Sequence, residues 1–389
     1  VSADLAARAA AADAADQLAH LRDRFTLPDG VVYLDGNSLG ALPAGVPDRV
    51  ADVVRHQWGE GLIGSWFGAG WWDAPERIGD RIAALIGAAP GQVVVGDSTS
   101  VNVFRALVMA QRLSGRDEIV VDATTFPTDG YIAESAARMT GCTLVAAHPR
   151  ELTLSDRTAA VLLNHVDFRS GELWDMPALT AAIHDAGAYA VWDLSHSAGA
   201  LPLALDAHGV DFAVGCTYKY LNGGPGAPAY CYVRADLLPR VEQPLPGWCS
   251  HGDPFGMEAG YRPATGATRL RTGTPEIISL LSLDAALDVW DGVDLAAVRA
   301  KSLALTTFFI DCVRALVPAD RVTVLTPQTR GSQVALACDG AEAVMNALIA
   351  AQVVGDYRPP DVLRFGFAPL YLRFADALRA AEIIAKVLA

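Results

Sequence analysis

A chain of 389 residues that is 52% apolar is long enough for two or three domains, or for one large domain with a smaller one. Its formal charge of −14, from 30 Lys and Arg against 44 Asp and Glu, argues against nucleic acid or an anionic membrane surface as a partner. The six cysteines show neither a CxxC pair nor a zinc-like spacing, so they read as reduced thiols and no metal is expected.

Residues 2–24 carry Ala, Leu and Arg at helical spacing, interrupted throughout by Asp and Arg, which reads as a helix rather than a secretion signal. No apolar run is long enough to cross a bilayer, so a soluble, cytoplasmic protein is expected. After a turn at Pro28, Asp29 and Gly30, a short strand over 31–34 runs into Asp35, Gly36, Asn37 and Ser38, whose polar groups either line a site or close a loop. Helix returns over 46–58. The stretch IGSWFGAGWW then sets Trp66, Trp71, Trp72 and Phe67 among small residues, as an aromatic wall for a planar substrate or as a packed corner.

A helix near 75–87 leads into QVVVGDSTSVNVFRALVMA, read as strand, hydroxyl-rich turn and helix. Thr99, Ser100 and the free N–H groups of that helix's first turn suit a phosphate dianion, although an ordinary Ser/Thr cap has the same sequence. Strand and helix patterns then alternate. Phe126 and Asp129 follow one strand, and Asn164 and His165 follow another; Phe126 either stacks on a planar ring or anchors the turn before Pro127.

The stretch 188–226 reads as two buried strands ending in polar clusters, Asp193 with His196 and Tyr218 with Lys219. Only Lys219, Lys301 and Lys386 are lysines in a chain that otherwise uses Arg. An arginine cannot lose its proton in a protein, whereas a desolvated lysine can become a neutral nucleophile. The alternative is a lysine whose stem lies on a strand end and whose head reaches water. Parallel neighbouring strands would put Asp193 and Lys219 at one sheet edge, where open α/β sheets bind ligands. Pyridoxal phosphate (PLP) chemistry needs that pair: a lysine to carry the cofactor and a carboxylate to keep its ring nitrogen protonated.

Beyond the strand APAYCYV comes a long Gly- and Pro-rich loop over 243–277, of a length that is commonly functional or interfacial. Helices over about 277–317 follow, and then a smaller α+β pattern. There Arg364 sits in a strand of alternating character, as a clamp on a substrate carboxylate or as a surface ion pair. The division expected is a large domain over 60–290 and a small one formed by 1–59 with 291–389.

Taken together, YLDGNSLG at 33–40, IGSW at 63–66, DSTSVNVF at 97–104, FPTD at 126–129, NHVDFRSG at 164–171, WDLSHSAGA at 192–200, CTYKYLNGGPG at 216–226, GTP at 273–275 and LRFGFAPLY at 363–371 resemble the bacterial kynureninases. The resemblance implies the α/β fold type I of PLP-dependent enzymes (aspartate aminotransferase-like), with a large αβα domain on a mostly parallel seven-stranded sheet and a smaller α+β domain. It implies hydrolysis of L-kynurenine, or its 3-hydroxy form, to anthranilate and L-alanine, within tryptophan catabolism and NAD biosynthesis. Residue by residue, Lys219 would hold PLP covalently, and Asp193 would bind the ring nitrogen with His196 in support. Thr99, Ser100 and Tyr218 would hold the phosphate, joined by Trp248 and Thr274 across a homodimer interface with shared active sites. Phe126 would stack on the ring, with Pro127, Thr128, Asp129 and Asn164 at cofactor-contact positions. Arg364 would bind the substrate α-carboxylate, and Trp66, Asn37 and Ser38 would border the aryl-ketone end, while Tyr218 would relay protons beside Lys219 and Asp193. Cys249 and Ser250 depart from the aromatic residue and glycine usual after the loop tryptophan. Cysteine desulfurase-like and aminotransferase-like enzymes share the implied fold, and a desulfurase would need Cys249 as its mobile, reactive thiol.

Overall fold

The computed structural model describes residues 2–389. Its centre is a seven-stranded sheet of β1 (Val93–Val95), β2 (Glu118–Asp122), β3 (Thr143–Ala147), β4 (Thr158–Asn164), β5 (Tyr189–Asp193), β6 (Phe212–Gly215) and β7 (Tyr230–Val233). The order is β1-β7-β6-β5-β4-β2-β3. Only β7 runs against its neighbours, and the pairs from β6 through β3 are parallel.

The side-chain period of two sorts these strands into two cores. Val94, Ile119, Val121, Leu162 and Val191 face the layer holding α1 (Thr99–Ser114) and α2 (Pro127–Thr140). Val93, Val95, Val120, Val161, Leu163 and Trp192 face the layer that includes the helices Ala74–Ile86 and Ile277–Ala286. Being covered on both faces, the strands read as near-continuous apolar runs.

A second, antiparallel sheet has the order β8-β9-β11-β10, from β8 (Thr323–Val324), β9 (Gln333–Ala337), β10 (Asp356–Arg358) and β11 (Val362–Gly366). It packs on the helix Leu295–Leu316, where Phe309 meets Phe365 and Phe367 at ring distances of 5.4 and 5.1 Å. Strand β10 was not anticipated from the sequence, because its three residues precede two prolines and show no alternation of their own.

The N-terminal segment forms a two-stranded sheet of its own beside this second sheet and bridges to its β11 end. Val32–Tyr33 pairs in parallel with Val353–Val354, and the Gly366 N–H donates to the Leu34 carbonyl at 2.6 Å. The single helix expected over 2–24 is instead a helix at Ser2–Ala14 followed by a 3-10 turn at Ala19–Arg24. Asp16 accounts for the break: its carboxylate accepts the Leu18 N–H at 2.9 Å, a local bond that competes with helix.

Asp16 also lies 2.6 Å from the Lys301 ammonium, with both side chains almost fully buried. Removing one partner strands the other charge in the core, so Lys301→Met is expected to destabilise the fold by about 3–5 kcal/mol. Asp16→Leu with Lys301→Met should recover most of that loss in urea unfolding. Equal losses in the single and double variants would show that the pair is not the cause.

Candidate active site

Three parallel strands release their polar residues at one edge of the large sheet. Asn164 is the last residue of β4 and Asp193 the last of β5, and the two are register partners. Strand β6 ends at Gly215, so Tyr218 and Lys219 lie not on the strand but in the turn beyond it. That turn is pinned from both sides: the Gly40 N–H donates to the Tyr218 carbonyl at 2.7 Å, and the Asn222 N–H to the Lys219 carbonyl at 3.0 Å. A Cβ at residue 40 would sit 2.2 Å from the Lys219 carbonyl oxygen, so only glycine lets the 35–40 loop approach this closely.

These residues open into a cavity of about 340 Å³, within the range of small-molecule sites. It is lined by Lys219, Tyr218, Asp193, His196, Asn164, Asp129, Phe126, Thr128, Thr99, Ser100, Asn37, Ser38 and Arg364, all of them expected from the sequence. Val166, Phe168, Ser195 and Arg358 also line it and were missed. The first three sit within two or four residues of Asn164 and Asp193, and their proximity to a strand end was the available signal. Arg358 belongs to the unanticipated β10.

At one end, Ser98 caps α1, its Oγ accepting the Val101 N–H at 3.3 Å, and Thr99 and Ser100 occupy the first turn. The preceding turn is braced by Arg105, a fully buried guanidinium held by Asp97, by Asn102 Oδ1 at 3.0 Å and by Thr272 Oγ1 at 3.2 Å. Asp97 takes a left-handed φ of 56°, a strained position that this network maintains. On the cavity wall, the Phe126 ring is 40% exposed and is set edge-on to Phe168 at 5.4 Å and 81°.

The carboxamide of Asn164 bridges two acids. Its Oδ1 accepts from Thr125 Oγ1 and the Phe126 N–H, which turns Nδ2 toward Asp129 at 2.9 Å and Asp193 at 3.2 Å. Burial and the adjacent Asp193 push the Asp129 carboxyl well above the usual carboxylate range. Two carboxyls that close together hold one negative charge more easily than two. Burial likewise raises the Tyr218 phenol, so it keeps its proton near neutrality.

Elsewhere on the lining, Asp356 grips Arg364 side-on, through Nε at 2.8 Å and through Nη2, while Ser38 Oγ lies 3.1 Å from Nη2. Arg358 adds a bond to the same Asp356 at 2.8 Å. The ion-pair alternative for Arg364 is therefore realised at a residue that also lines the cavity, its Nη1 donating to the Phe168 carbonyl at 2.7 Å. Burial and Asp356 push the neighbouring Asp35 carboxyl up to about 6, and its Oδ1 is buried without a partner.

A carboxyl raised in the folded state weakens folding as pH climbs from 3.8 through about 6, because the folded chain then surrenders a proton less willingly. Asp35→Asn is expected to add up to about 3 kcal/mol at about pH 8 and nothing below about pH 4. Urea unfolding at the two pH values checks this; an equal gain at both would refute it.

Four expected site residues stand elsewhere. Pro127 is the exposed first residue of α2. Trp66 packs in an aromatic cluster, 5.8 Å from Trp71 and 6.3 Å from Trp72. Trp248 rests on Trp72 at 5.4 Å with much of its ring exposed, and Thr274 is exposed on the same long loop. Neither Trp248 nor Thr274 lines the cavity within one chain. Cys249 is 1% exposed, and burial raises its thiol, which removes the mobile, reactive cysteine that a desulfurase mechanism requires.

The residues fit PLP by the chemistry of the donor set: an amine, a buried carboxylate and an aromatic ring on one cavity, and a capped helix start bearing two hydroxyls. Comparison with known proteins agrees. The kynureninase C-terminal domain family matches residues 298–384. The chain is 50% identical to a kynureninase of Deinococcus radiodurans, over 97% of the chain and 95% of that protein. It is 48% identical to a kynureninase of Pseudomonas fluorescens, over 97% and 94%. Among solved structures, a C-DES mutant with glycine covalently linked to its PLP cofactor superposes with a TM-score of 0.82, covering 94% of this chain and 98% of that one. At 17% identity that likeness establishes the shared fold, with its mostly parallel seven-stranded sheet, and nothing finer.

Proposed function

The chain belongs to the kynureninase family, and from that premise we propose that it hydrolyses L-kynurenine, or its 3-hydroxy form, to anthranilate and L-alanine with PLP as cofactor. The observation that carries this reading is that Lys219, Asp193 and Arg364 line one cavity. Bound PLP supplies an electron sink for the electron pair left at a substrate carbon.

The chain's own residues do the rest. Arg364 binds the substrate α-carboxylate, its guanidinium plane held by Asp356. Lys219 Nζ holds the cofactor covalently and moves the proton at the substrate Cα. Asp193 holds a proton at the heterocycle nitrogen, and Asn164 keeps that carboxylate aimed. Thr99, Ser100 and Tyr218, which line the cavity with Phe126 and Thr128, would hold the phosphate, and Phe126 and Thr128 would contact the cofactor. Tyr218 Oη, which retains its proton, relays it while water adds to the γ-ketone and the β–γ carbon–carbon bond breaks. His196 supports the ring, and Asn37 and Ser38 border the aryl-ketone end.

A homodimer completes the site in this reading, with Trp248 and Thr274 reaching the partner's phosphate. Exposed Phe67, Phe255 and Met257 around Trp248 support it, since so large an apolar patch suits an interface. The two separate sheets support a division into domains of 60–290 and 1–59 with 291–389. A cytoplasmic location accords with the reduced thiols, and among the described residues no helix is long and apolar enough to cross a membrane.

The test is direct. PLP-loaded protein given L-kynurenine should release anthranilate fluorescence and alanine in equal amounts. Release of a keto acid, or of sulfide from cysteine, without anthranilate would assign it to another reaction of this fold.

A further inference from the structure

Gln333 is the first residue of β9, buried outside the cavity at the meeting point of three segments. Its Nε2 donates to two main-chain carbonyls beyond β4, those of Asp167 at 3.3 Å and Phe168 at 3.1 Å. A carbonyl only accepts, so those two bonds fix which way the carboxamide points. Its Oε1 therefore faces His196 Nδ1 at 2.9 Å and Asn37 Nδ2 at 3.5 Å. The position is built for this side chain: Gly171 has a φ of 79°, and a Cβ there would lie 2.8 Å from Gln333 Cγ.

An acceptor at 2.9 Å requires a proton on His196 Nδ1. Nδ1 is turned away from the cavity toward Gln333, whereas the ring lines the cavity, so the edge bearing Nε2 is the one presented there. Among the described residues Nε2 has no partner. Burial and the cations facing this imidazole, Lys219, Arg364 and Arg358, hold it well below its usual range, so the ring is neutral.

We propose that Gln333 is a positioning residue that locks His196 as the Nδ1–H tautomer, so that His196 offers the cavity a lone pair at Nε2. Only a donor can then meet it: the Lys219 ammonium, a water, or the cofactor's ring hydroxyl. The last of these rests on the PLP reading; the tautomer does not. Because Gln333 belongs to the second sheet and His196 to the turn that follows β5 of the first, a shift of one sheet against the other would alter the proton acceptor in the site.

Nitrogen NMR of protein labelled in its histidine rings, with and without PLP, tests this. Assigned by its loss in His196→Gln, the His196 ring should show a protonated Nδ1 and a bare Nε2, unchanged from about pH 6 to about pH 9. Gln333→Met should shift both resonances, and Gln333→Glu should convert the ring to an imidazolium and displace the holoenzyme's visible absorption band. A wild-type ring that carries its proton on Nε2, or titrates within that range, overturns the proposal, as does Gln333→Met with unmoved His196 resonances. Absence of any visible band on adding PLP would instead count against the cofactor reading and leave the tautomer result standing.

Discussion

Lys219→Ala is expected to lower kcat/KM for kynurenine by at least about 10⁴-fold, since one side chain both anchors the cofactor and moves the Cα proton. The fold should tolerate the change. Lys219 is only half-buried, lines the cavity, and its ammonium makes no hydrogen bond or ion pair with the described residues, so its loss should cost less than about 1 kcal/mol. The effect is therefore separable from misfolding by circular dichroism and urea unfolding. Borohydride treatment of the wild type should leave the cofactor covalently attached to the peptide containing Lys219, and the variant should lose its cofactor on gel filtration. Activity within tenfold of wild type would discard Lys219 as the anchoring amine.

Asp193→Asn should rank next, at about 10²–10³-fold, the scale of losing one preorganised charge opposite a developing one. The amide keeps the size and the acceptor that takes the Ser195 N–H at 2.7 Å, so the change is chiefly one of charge. Asp129 makes the outcome informative. Its carboxyl is raised in part by Asp193, and with that charge removed it ionises more readily and takes over some of the lost field. Asp129→Asn alone should therefore be mild, and the double variant should fall further than the two single losses multiplied together. Simple multiplication would show that the second acid does not substitute for the first.

The parts of this site legible in the sequence were those whose chemistry is rare in their surroundings. A lysine among arginines, an aspartate ending an apolar run and a hydroxyl pair before a helix each announce themselves locally. Resemblance to a known family then selected the clamp reading of Arg364 and supplied the loop residues that no local pattern distinguishes. What stayed hidden depends on long-range packing. Gln333 is one polar residue at the head of an apolar strand, and its role exists only because Asp167, His196 and Asn37 arrive beside it. Arg358 sits on a strand too short to have a period, and Asp356 gains its meaning from a cross-strand register with Arg364. The break at Asp16 rests instead on a local bond to the Leu18 N–H that leaves the helical spacing of the sequence unchanged, while the ion pair of Asp16 with Lys301 is long-range.

The pairing of Val32–Tyr33 with Val353–Val354, and of Leu34 with Gly366, also bears on the order of events during translation. The segment that brings Asn37 and Ser38 to the cavity is made early yet has no β partner until nearly the whole polypeptide has been synthesised. Until then its apolar residues Val32 and Leu34, fully covered in the finished molecule, must wait in contact with water or a chaperone. The lysine-bearing half can organise while still attached to the ribosome, but the carboxylate-recognition end forms only after β11 emerges. A nascent chain should thus become competent to capture its vitamin-derived cofactor before it becomes competent to recognise an amino acid.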